Sequence, residues 1–79
     1  MIFIIDRIIF SERFKQLRDA RNITMVDIAN NLKISKQSVH QWTTAKTVPT
    51  SDKLLELAYY FDVSLDYLVG RSNDPTVHK

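Results

Sequence analysis

Lys36, Gln37 and Gln41 sit in the short stretch KQSVHQWT, and their types and spacing suit one kind of chemistry. At helical spacing they form one outward stripe opposite Val39 and Trp42, with Gln37 and Gln41 neighbours along the axis. A glutamine amide can pair bidentately with adenine N6 and N7, and a lysine can donate to guanine O6 and N7. These three side chains are therefore the candidate base-contacting residues. The plainer reading is a solvated polar face. Ser38 and His40, on the same segment, could touch a backbone or solvent.

A second group suits phosphate oxygens, which need cations, hydroxyls and N–H donors rather than a patterned edge. Thr24, with the open N–H groups at its helix start, forms one such anion site. Ser35, Thr43, Thr44, Lys46 and Thr47 flank the stripe and offer hydroxyls and charge. Simple helix capping is the alternative, most of all for Thr24 and Ser35, and the two roles can coexist. Trp42 could stack on a base, but its inward position reads as core, as do Phe14 and Phe61. Tyr59 and Tyr60 are adjacent, so one of them faces out. His40 and His78 lack a partner at metal-ligand spacing, so no metal or cofactor is expected. No nucleophile–base–acid set, glycine-rich phosphate loop or cysteine nucleophile is present, so no enzyme is expected.

The elements that position these groups have to fit into 79 residues, 44% hydrophobic, with one Gly, two Pro and no Cys. That length suits one domain, and the lack of cysteine excludes disulfides and thiolate metal sites. Packed helices are the remaining way to stabilise so short a chain. The net charge of +2 hides an uneven distribution. Residues 13–46 carry Arg13, Lys15, Arg18, Arg21, Lys33, Lys36 and Lys46 against only Asp19 and Asp27. Residues 47–79 are mildly acidic, so one face suits an anionic partner. Solvated helix faces are again the plain alternative.

Helix signals come at short intervals. Ser11 reads as the N-cap of a helix carrying Phe14 and Leu17 and ending near Asn22. Thr24 and Asp27 form a capping box for a helix with Ile28, Ala29 and Leu32 inward. Ser35 caps a third helix over 35–43, with Val39 and Trp42 inward. Lys46 to Pro49 reads as a loop. Thr50 or Ser51 starts a fourth helix carrying Leu54, Leu57, Ala58 and Phe61. Ser64 caps a short fifth with Leu65 and Leu68 inward, stopped by Gly70. The tail, 71–79, is polar and expected to fray. The second and third helices are joined so tightly that a steep crossing is expected, as in a helix-turn-helix.

Residues 24–43, TMVDIANNLKISKQSVHQWT, resemble the helix-turn-helix of the lambda repressor/Cro-like, or XRE-like, family. Ile28, Leu32, Ile34, Val39 and Trp42 match its inward positions, and Ala29 matches the small residue where the two helices touch. Phe14-x-x-Leu17-Arg18, Lys46-x-x-Pro49 and the closing VSLDYLVG extend the resemblance over 11–70. It implies an all-α, compact five-helix bundle of the lambda repressor type and a DNA-binding transcriptional regulator, bacterial or prophage-like. Double-stranded DNA is the implied partner, bound by a homodimer on a near-palindromic operator. Three departures stand out. Lys33 occupies the turn position often taken by Gly. Thr43 and Ala45 stand where relatives often have Glu and Gly, which leaves Arg18 without its usual partner and able to snorkel or reach a phosphate. Met25 replaces a Gln, removing one phosphate contact.

Residues 1–10, MIFIIDRIIF, read as an apolar arm outside the resemblance, in which the β-branched run Ile2–Ile5 is either a short strand or an extended segment packed on the domain. The run is too short to span a membrane and lacks the basic start and cleavage site of a signal peptide, so a cytoplasmic location is expected. It covers the chain's own core or makes a subunit contact. No appended ligand-sensing or self-cleaving domain is expected, and regulation is expected from expression level, a partner or degradation. The rival function is a protein-interaction module, an antitoxin or adaptor using the same fold.

Overall fold

Asp6 is the residue that starts the first helix in the computed structural model, which describes residues 6–77. Its carboxylate accepts from the Ile8 and Ile9 N–H groups at 3.0 and 3.1 Å, and α1 runs Arg7–Arg21. The expected start at Ser11 is therefore a turn late. Both residues satisfy the local capping rule, and tertiary burial decides between them. Starting at Asp6 puts Phe10, Phe14 and Leu17 on one inward stripe. Phe10 is fully buried and stacks on Phe14 with ring centroids 5.6 Å apart. Residues 7–10, placed in the apolar arm by the sequence reading, are thus part of α1. The start of the expected arm, residues 1–5 with the run Ile2–Ile5, lies outside the described residues, as do His78 and Lys79.

The other helices follow the capping signals: α2 Met25–Leu32, α3 Lys36–Thr43, α4 Ser51–Phe61 and α5 Leu65–Leu68. Thr24 and Asp27 make both halves of the capping box, each at 3.1 Å. Ser35 accepts from Ser38 N–H and Ser64 from Tyr67 N–H. Thr50 takes the α4 cap position without a side-chain cap bond. Lys33 and Ala45, both at glycine positions of the resemblance, adopt φ of 56° and 60°. For a residue with a Cβ that conformation costs roughly 1–2 kcal/mol. The expected five-helix all-α architecture holds over the described residues.

Phe14 is the centre of the core. Its ring meets Trp42 and Phe61 edge-on, each with centroids 6.0 Å away. Ile28, Leu32, Val39, Leu54, Leu57 and Leu68 close the core around it. Leu65 is only half-buried. Gly70 has φ +89° and lies against α1, where an added Cβ would meet Ile9 Cγ2 at 3.0 Å. Positive φ and close approach both require glycine there.

The described part of the tail does not stand apart from the fold. Ser64 N–H donates to the Pro75 carbonyl at 2.9 Å. Arg13 donates to the Ser72 carbonyl at 2.5 Å and to Asn73 Oδ1 at 2.8 Å. The expectation of fraying missed these long-range acceptors, which give residues 71–77 internal partners.

Candidate nucleic-acid interface

Every helix leaves N–H groups open at its start and carbonyls open at its end, and the resulting dipole favours anions at the N-terminus and cations at the C-terminus. Four helices here answer the start with a carboxylate: Asp6 on α1, Asp27 on α2, Asp52 on α4 and Asp66 on α5. Helix α3 has none. Its cap is the neutral Ser35 hydroxyl, and its first residue is Lys36. Ser35 takes up the Ser38 N–H, while the Lys36 and Gln37 N–H groups have no acceptor among the described residues.

The helix ends show the same division. Lys53 Nζ donates to the Leu32 carbonyl at the end of α2, at 2.8 Å. Arg21 donates to the Phe61 carbonyl at the end of α4. Arg13 donates to the Tyr67 carbonyl of α5 and lies over the Tyr67 ring, 4.3 Å from its centroid. The α3 carbonyls are met without lysine or arginine. His40 and Gln41 accept from backbone N–H groups and the Thr44 hydroxyl, Trp42 from Ala45 N–H, and Thr43 from Ser11 Oγ at 2.7 Å.

These bonds redistribute the basic charge seen in the sequence. Arg13 and Arg21 turn to carbonyls of α5 and α4, and Arg18 Nη1 donates to Thr43 Oγ1 at 3.3 Å. Replacing a glutamate by Thr43 has therefore not left Arg18 without a partner. The hydroxyl substitutes as a neutral acceptor, and the Ile23 carbonyl supplies a second at 3.4 Å. Lys15, Lys33, Lys36 and Lys46 are exposed as well as Arg21, but unlike Arg21 they meet no acceptor among the described residues.

Lys36 and Gln37 are exposed and Gln41 half-buried, on the helix that buries Val39 and Trp42. Thr24 and Lys36 border one open groove, together with Arg18, Asp19, Asn22, Ile23, Met25 and Val26. Two helix starts and one free cation thus meet in one place. Thr44, Lys46 and Thr47 are exposed beyond the end of α3. Thr44 directs its hydroxyl to His40 and Gln41 carbonyls. Thr43 turns inward, donating to the Val39 carbonyl at 2.9 Å while accepting from Arg18. Sequence reading missed Ser11, Arg13 and Arg21 as structural contacts, because their acceptors lie 32, 54 and 40 residues away.

A tight helix pair, the second member presenting an exposed polar stripe from a carboxylate-free start, defines a helix-turn-helix module. Residues 14–68 match the helix-turn-helix family, and the chain belongs to it, in its lambda repressor/Cro-like branch. It is 38% identical over 66 residues to the HTH-type transcriptional regulator YobD of Bacillus subtilis, a match spanning 84% of this chain and 59% of that protein. It is 30% identical over 61 residues to the HTH-type transcriptional activator BcrR of Enterococcus faecalis, spanning 77% of this chain and 30% of that one. A transcriptional regulator from Listeria innocua has a similar crystal structure, with TM-score 0.74 and 30% identity over 89% of this chain and 61% of that one. The chain thus spans about a third to three-fifths of the lengths of these relatives. None of its described helices is long and apolar enough to cross a membrane.

Proposed function

We propose that this chain is a sequence-specific DNA-binding transcriptional regulator that reads the major groove with α3 and represses by occupying operator DNA. The observation that carries the reading is the start of α3. It alone among the described helices combines a neutral cap, an exposed lysine and no carboxylate. A phosphate there meets open N–H groups and the positive end of a dipole. Lys36, Gln37 and Gln41 are the base-contacting residues of this proposal. Thr24, Ser35, Thr44, Lys46 and Thr47 serve phosphates, and the inward Thr43 and its partner Arg18 drop out of that set.

Two copies would set α3 helices in successive major grooves, giving a near-palindromic site with half-sites roughly one turn, ~10–10.5 bp, apart. Selection of bound duplexes from a random library tests this. A recovered inverted repeat is expected, and Gln37→Ala should relax preference at one position per half-site by about 1–3 kcal/mol. Lys46→Ala should weaken all duplexes alike and lower the salt slope. A library with no enriched sequence would overturn the reading. An antitoxin or adaptor is the second reading, favoured by an apolar groove beside exposed Leu55 and Tyr59, the latter 87% exposed. Failure to bind any duplex at low salt would support it.

A further inference from the structure

We propose that Ser11 and Arg18 of α1 are positioning residues that set where α3 presents Gln37 and Gln41, an inference that rests on the DNA-reading role of α3. Ser11 is the one buried polar side chain among the described residues, 4% exposed. Its hydroxyl donates to the Thr43 main-chain carbonyl at 2.7 Å, and no other described donor reaches that oxygen. Two turns further along α1, Arg18 Nη1 donates to the Thr43 side chain at 3.3 Å. Between them Phe14 meets Trp42 edge-on at 6.0 Å.

One stripe of α1 therefore holds the last turn of α3 at its main chain, at a side chain and at its largest ring. The apolar contact is non-directional and tolerates a small slide. The hydrogen bond from Ser11 does not, because it weakens steeply with distance and angle. An apolar residue at this place would avoid desolvating a hydroxyl, so serine is favourable here only with its bond made. Base readout by Gln37 and Gln41 has the same narrow tolerance in distance. Buried Ser11 cannot touch a duplex. Any change of sequence preference caused by altering it passes through α3.

The test uses Ser11→Ala in the full chain, compared with the parent on the library-selected duplex and on a scrambled duplex at equal salt. The ratio of the two affinities is expected to fall at least tenfold, with scrambled-duplex affinity and salt slope retained. An unchanged ratio, or both affinities falling together, would overturn the positioning role. A parent chain that does not prefer the selected duplex would instead sink the DNA reading. The positioning claim is then judged on residual dipolar couplings of the α3 amides relative to those of α1. Ser11→Ala should reorient α3 and leave α4 in place, and an unmoved α3 contradicts the claim. Thr43→Val, which removes the Arg18 arm together with the hydroxyl's own bond to the Val39 carbonyl within α3, should give a smaller shift and serves if Ser11→Ala does not fold.

Discussion

Helix α3 and the four helices around it solve the same electrostatic problem in opposite ways. The surrounding helices bring carboxylates to their starts, and α2, α4 and α5 also receive Lys53, Arg21 and Arg13 at their ends. Each such match stabilises the fold by about 0.3–1 kcal/mol where exposed. On α3 both matches are missing. The fold forgoes that stabilisation at the helix whose outward stripe carries Lys36, Gln37 and Gln41. A helix start without its own carboxylate is available to someone else's anion, and a helix end without lysine or arginine is fixed by a buried hydroxyl that salt does not screen.

Arg13→Gln should have the largest effect on the supporting side of this contrast. It removes the cation from the Tyr67 and Ser72 carbonyls and from the face of Tyr67. A loss of about 2 kcal/mol is expected, since hydrogen bonds to charged groups contribute roughly 1.5–3 kcal/mol. Urea unfolding checks the loss. A duplex titration against salt should show an unchanged slope, because this arginine faces carbonyls and not phosphates. A reduced slope would erase the distinction between the two groups of cations.

Lys33→Gly should act less strongly and with the opposite sign. It relieves a left-handed residue at φ 56° in the turn between α2 and α3. Glycine's greater freedom in the unfolded chain offsets part of the gain, so a rise of roughly 0.5–1 kcal/mol is expected in thermal melting. A loss would mean that the lysine side chain supports the turn.

Which parts were legible in the sequence follows from the range of the interactions. Thr24 with Asp27, Ser35 with Ser38 and Ser64 with Tyr67 are bonds within one helical turn, and residue type at fixed spacing determines them. Asp6 and Ser11 could each start α1 by that local rule. The choice rests on burying Phe10 against Phe14, which local pattern does not contain. Lys36, Gln37 and Gln41 were legible as a stripe because Val39 and Trp42 had to face inward. The inward turns of Arg13, Arg21 and Thr43 were not legible. Their partners are main-chain oxygens or a distant side chain, and a carbonyl leaves no mark in the sequence.

On the proposed function, the start of α3 is kept without a carboxylate so that it can receive a phosphate. Lys36→Glu restores the carboxylate the other helices have, and it tests the claim with one paired comparison of melting temperature and duplex affinity in the same buffer. Changes of opposite sign are expected in the two. The fold gains about 0.3–1 kcal/mol from the new charge at the helix start. Affinity for every duplex falls at least tenfold, an effect of about 1.4 kcal/mol or more. Retained affinity alongside a higher melting temperature would contradict it, because the start of α3 would then have no part in holding DNA.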